Sequence, residues 1–155
     1  MQQNLFCRTL TIISFGLLFS ALAPVARAAT CSAATVKGDW ALTLSGTLLL
    51  PTGPVPVAAV VRTTLSLDGS VTGGEARNVG GQYADETLRG TFSVNPDCTG
   101  TATVNFFEDE QLVRTSTLTL IFDDNSKQVR MVQKSLVVPK DTSLPVVILV
   151  EGRKL

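Results

Sequence analysis

The 155-residue sequence predicts an all-β protein, a single antiparallel barrel of eight strands in up-and-down order. Three observations lead there. Apolar and polar residues alternate with period two along nearly all of the chain beyond residue 28. Short polar turns separate the alternating segments, and short links join antiparallel neighbours because parallel pairing needs a long crossover. No segment carries a sustained 3.6-residue apolar stripe, whereas β-branched Val and Thr are abundant. Eight such strands left open would expose two edges, and closure removes both. A β-sandwich is the alternative. It fits less well because the one long connection lies just before the last strand.

Residues 1–28 read as a secretory signal peptide. Arg8 is the single base of a polar start, residues 10–22 form an apolar run, Pro24 breaks it, and Ala26-Arg27-Ala28 supplies small residues at a cleavage site. The run is short for a membrane span, which needs about 20 apolar residues. An uncleaved anchor is the competing reading. A lipid anchor on Cys31 is disfavoured, since no Leu stands three positions before it. Cleavage would leave residues 29–155 as one domain. Arg8 and Arg27 would be lost, so 11 bases would face 13 acids, a net charge of −2. The expected product is exported to the periplasm or beyond, with no integral membrane span after cleavage.

Cys7 would leave with the leader. Cys31 and Cys98 remain, an even pair in an exported chain, and a structural disulfide between them is the default expectation. Closing a loop of that length stabilises by roughly 4 kcal/mol in the chain-entropy model.

The strands follow in order. Trp40, Leu42 and Leu44 alternate with Ala41, Thr43 and Ser45. Residues 57–67 alternate next and end at Asp68-Gly69, a tight-turn pair. Residues 71–79 form a weaker, Gly-containing strand that stops at Gly80-Gly81. Leu88, Phe92 and Val94 form the apolar face of the fourth strand, before the turn Asn95-Pro96-Asp97. Ala102, Val104 and Phe106 share a face, and Glu108-Asp109-Glu110 turn the chain. Residues 112–122 end in Leu118, Leu120 and Phe122. Asp123-Asp124-Asn125-Ser126 is a polar turn, and residues 128–134 place Val129 and Met131 inward. Residues 135–145 read as a connection, and residues 146–150 as the last strand.

Two stretches carry resemblances. Gly38-Asp39-Trp40 resembles the G-x-W motif of calycins, the lipocalin and avidin-like barrels. That resemblance implies a calycin-like barrel whose closed end is plugged by Trp40, with Arg153 of the last strand stacking across the indole; Lys154 is the poorer candidate for that stack. The run from Gly90 to Thr101 (GTFSVNPDCTGT) is similar to a hairpin motif of uncharacterised exported bacterial proteins. It implies export and a β-fold and brings no activity with it.

Composition removes several functions. The chain has no histidine, which excludes Ser-His-Asp and Cys-His catalysis and His-based metal or haem sites. With 13 bases and 13 acids there is no basic excess, so nucleic-acid binding is disfavoured. No catalytic residue, metal site or cofactor motif is expected. The acidic turns 108–110 and 123–124, expected at the same barrel end, lack a calcium-loop spacing and read as solvated turns. Gly73-Gly74 and Gly80-Gly81 lack the helix and Gly-Lys-Ser/Thr of a phosphate loop. The weakly apolar stretch 71–87 suggests a mobile flap or a mouth loop.

Strict alternation puts Val71, Glu75, Arg77 and Val79 on one face, Arg114 with Ser116 and Leu118 on another, and Gln133 with Val129 and Met131. If these faces line the lumen, then Glu75, Arg77, Arg114 and Gln133 enter it near the rim, with Tyr83 nearby, and form a candidate ligand site. The sequence favours the opposite outcome for Glu75 and Arg77. A bulge at Gly73-Gly74 would reverse the parity and leave both in solvent.

The leading functional expectation is a binding module for a small apolar or amphipathic ligand, in a lumen lined by residues such as Leu44, Val61, Phe92, Val104 and Leu120. The alternative is a structural or protein-interaction module with a filled core, docking another protein through residues 136–139 and the strand after Pro145. A barrel isomerase or cyclase is a third option. The oligomeric state is left open.

Overall fold

A computed structural model describes residues 30–155, so the expected leader, residues 1–28, lies outside the described residues. One short helix, α1 (Ala33–Val36), precedes nine strands. These are β1 (Gly38–Leu50), β2 (Gly53–Leu65), β3 (Ser70–Val79), β4 (Gln82–Val94), β5 (Thr99–Glu108), β6 (Gln111–Asp123), β7 (Gln128–Val138), β8 (Thr142–Leu144) and β9 (Val146–Lys154). Each of β1 to β7 pairs antiparallel with the next. β9 inserts between β1 and β7 and closes an eight-stranded up-and-down barrel. β8 is a short extra strand on the end of β7.

Alternation gives the barrel its two faces. Val61, Val71, Leu88, Phe92, Val104, Leu120 and Val150 are buried in one core. Between them, Thr43, Thr64, Thr72, Thr91, Thr103 and Thr119 face out and are exposed. The outer face mixes these threonines with exposed apolar side chains such as Val60, Ile121, Val132 and Leu149.

Two expectations about the strands are corrected. Residues 71–87 are no flap: β3 pairs with β4 over its full length, from Ser70↔Thr91 to Val79↔Gln82. Residues 135–138 are strand, not connection. The register slips between Thr117 and Leu118, so that Leu118 faces Gln133 and Thr117 faces Ser135, with Lys134 as the extra residue. That bulge shifts the inward position from odd to even numbers. Leu136 is therefore buried, and the period-two signal that marks residues 128–133 is broken.

The ends of the barrel differ. At one end α1 lies over the lumen. Trp40 is fully buried, donates from Nε1 to the Val36 carbonyl at 2.9 Å, and packs against Phe122 with ring centroids 5.5 Å apart. The Cys31–Cys98 disulfide, with a Cα–Cα distance of 4.9 Å, ties the segment before α1 to the β4–β5 turn. The Cys31 amide also donates to the Pro96 carbonyl. Arg153 is not part of this plug. Trp40 pairs with Lys154, whereas Arg153 pairs with the exposed Ala41, and cross-strand partners share a face. Arg153 is exposed, and Lys154 instead donates from Nζ to the Thr35 carbonyl at 3.0 Å.

The opposite end is formed by the β1–β2, β3–β4 and β5–β6 turns together with β8. The two acidic turns are therefore not neighbours. Residues 108–110 rim this mouth, and residues 123–126 sit at the plugged end, because successive turns of an up-and-down barrel alternate ends.

Candidate functional site in the barrel lumen

Glu75 reaches the lumen because β3 has no bulge. The β2–β3 register runs unbroken from Val57↔Val79 to Leu65↔Val71, with Thr63 opposite Gly73 and Arg62 opposite Gly74. The glycines serve a close approach of strands. A β-carbon on Gly73 would stand 2.1 Å from the Arg62 carbonyl oxygen. Parity therefore holds, and Glu75 is 5 % exposed. The solvent-facing outcome expected for Glu75 and Arg77 is thus corrected.

Directly across the ladder from Glu75 stands Glu86 on β4, 3 % exposed. Two carboxylates facing each other in an apolar lumen repel unless cations separate them. Two guanidiniums do so. Arg114 of β6 donates to Glu75 Oε1 from Nη2 and to Glu86 Oε2 from Nη1, and Arg77 donates from Nε to Glu86 Oε1. Arg77 also lies 3.9 Å from Glu108 at the rim. Arg114 lies over the ring of its cross-strand partner Phe106, with the guanidinium carbon 3.8 Å from the ring centroid.

Gln133 completes the layer. Its Nε2 donates to Ser116 Oγ at 3.0 Å and to the Ser135 carbonyl at 3.1 Å. Tyr83 stands apart. It is 65 % exposed on the outer face, its hydroxyl donates to Asp85 Oδ1 at 2.6 Å, and that bond raises its pKa. The structure thus brings together Glu75, Arg77, Arg114 and Gln133, and not Tyr83.

The sequence reading misses Glu86, although the signal is present. Glu86 precedes Leu88 by two residues, on the face already assigned to Leu88 and Phe92.

Cavities lie on both sides of this layer. Toward Trp40 is an apolar compartment of about 80 Å³, whose walls include Leu44, Val61, Phe92, Val104 and Leu120. Toward the mouth is a chamber of about 190 Å³, bordered by Arg77, Arg114, Leu48, Val113, Leu136 and Ile148. Glu75, Phe106, Ser116 and Gln133 border both.

Two buried side-chain oxygens among the described residues lack a hydrogen-bond partner, Glu75 Oε2 and Asp123 Oδ1; of the two residues, Glu75 lines the lumen. Burial pushes the Glu75 carboxyl above its ordinary pKa. Arg114 opposes that shift, and Glu86 adds to it. Among the described residues no three His, Cys, Asp or Glu side chains converge as a metal-binding set.

The fold and this layer define the class: a small up-and-down β-barrel, plugged at one end, with an ion-paired polar layer across an otherwise apolar lumen. Neither protein-family models nor curated proteins give a match to the chain.

Proposed function

We propose that the protein is an exported binding module that takes a small amphipathic ligand into its lumen, apolar end toward Trp40 and polar end at the Glu75–Arg114 layer. The observation that carries this reading is the buried, unpartnered Oε2 of Glu75, a residue that borders both cavities. A buried carboxylate oxygen without a donor costs stability, and a ligand would remove that cost. The absence of histidine and the ion pairing of all four charged residues weigh against an enzyme. Export is supported by the apolar leader with its Ala-x-Ala site and by the disulfide, which persists in oxidising compartments. The calycin-like reading rests on the barrel and on Trp40 at its plugged end. The test is native mass spectrometry of protein purified from its own host. A single small molecule released on unfolding is expected. Protein that carries nothing, and whose melting temperature no short amphiphile raises, overturns the proposal.

A second reading draws on the outer surface. Val132 and Leu149 are cross-strand partners, both are exposed, and the exposed Val147 lies two residues along from Leu149. An outward apolar strip of this kind favours a protein-interaction module. Light scattering on a sizing column separates its homo-oligomeric version from a monomer.

A further inference from the structure

The ligand's polar end can be specified further, on the premise that the lumen is a binding site. The layer is nearly saturated. Both oxygens of Glu86 are engaged, Arg77 and Arg114 each hold a carboxylate, and Glu75 Oε1 is taken by Arg114. The buried oxygen of the layer left without a partner is Glu75 Oε2, on a side chain only 2 % exposed. Ionised, it is an acceptor, so the layer calls for a donor, and both guanidiniums are already engaged with carboxylates.

Charge narrows the donor. Glu75, Glu86 and Glu108 face Arg77 and Arg114, one carboxylate in excess. A cationic donor neutralises that excess and forms a charge-assisted bond stronger than one from a hydroxyl. Ser116, another residue that borders both cavities, accepts one bond from Gln133 Nε2 and keeps a second lone pair. The apolar compartment of about 80 Å³ limits the tail. A cavity of about 150 Å³ holds benzene, so a short unbranched alkyl chain is what fits here.

We propose that the lumen binds a short-chain primary alkylammonium, its nitrogen donating to Glu75 Oε2 and its alkyl chain lying toward Trp40.

The experiment is calorimetric titration of the oxidised protein with n-butylammonium, n-butanol and n-butyrate, then with their n-hexyl homologues. Butylammonium is expected to bind at least tenfold more tightly than butanol, with butyrate weakest. Glu75→Gln is expected to weaken butylammonium at least tenfold while keeping the wild-type tryptophan emission. The head-group series needs no variant, so a poorly folding Glu75→Gln leaves the test intact. An ammonium preference below tenfold, or unchanged affinity in a folded Glu75→Gln, overturns the alkylammonium assignment and leaves the binding module standing. Absence of binding by all six compounds overturns the assignment and counts against the binding module as well.

Discussion

Glu75 and Glu86 face each other across β3 and β4, yet their substitutions are expected to differ sharply. Glu86 holds both Arg77 and Arg114, and its side chain is fully buried. Glu86→Gln leaves two guanidiniums without their shared anion and is expected to cost about 3–5 kcal/mol, read from urea unfolding. Glu75→Gln removes a like charge opposite Glu86 and keeps an oxygen for Arg114, so a change of about 1 kcal/mol or less is expected. The same variant carries a pH signature. Burial raises the folded-state pKa of Glu75 above its ordinary 4.5. Between those values the folded protein keeps a proton that the unfolded chain has released. This contribution therefore favours folding at low pH and is lost as pH rises through the folded-state value. Asp39, Asp68 and Asp97 act in the opposite sense. Hydrogen bonds led by Thr64, Ser70 and Thr99 hold them below 3.8, so their contribution is present above 3.8 and is lost as pH falls through their depressed values. Urea midpoints across the acid-to-neutral range should show Glu75→Gln losing the decline above 4.5 while keeping the acid limb. A variant with an unchanged decline would show that Glu75 is not its source.

At the scale of elements, the plug made by α1, Trp40 and the disulfide is the most local design. Cys31 anchors α1 at the β4–β5 turn, and α1 in turn covers the only tryptophan. Replacing both Cys31 and Cys98 by Ser is expected to cost about 2–4 kcal/mol in chemical unfolding. If α1 is freed as a result, emission from Trp40 should shift to the red; an unshifted spectrum would mean that strand packing alone keeps the indole dry. Trp40, the cysteine pair and the turn of Asn, Pro and Asp at this end were legible in the sequence because each is a local signal, whereas α1 was not, since four residues are too few to show a helical stripe. The lumen was legible wherever alternation is unbroken, which is why Arg114 and Gln133 fall where parity puts them. Gly73-Gly74 misled because two glycines mark a bulge and a close strand approach equally well, and only the register distinguishes them. Lys134 misled in the other direction. A bulge inside a strand looks like the strand's end, and residues 135–138 were lost to a loop. Arg153 and Lys154 differ by one position, which is enough to exchange inside for outside.

At the scale of the whole molecule, one lumen divides stability from function. A filled barrel would place side chains throughout, whereas here the ion-paired layer sits between an apolar compartment and a chamber at the mouth. The apolar compartment lowers packing while leaving room for a ligand's tail, so filling it should move stability and affinity in opposite directions. Ala102 lines that compartment and belongs to neither the charged layer nor the plug. Ala102→Leu adds apolar volume facing the void and is expected to stabilise by about 0.5–2 kcal/mol, as cavity-filling substitutions commonly do. The same variant should lose affinity for an amphipathic ligand, since the tail's space is occupied, while the Glu75–Arg114 contact is untouched. Ligand at 100 times its Kd should raise wild-type stability by about 2.7 kcal/mol, and the variant should gain much less. Paired thermal melts with and without ligand measure both effects in one experiment. A variant that is stabilised and still binds at full strength would place the ligand's tail outside this compartment, in the chamber at the mouth.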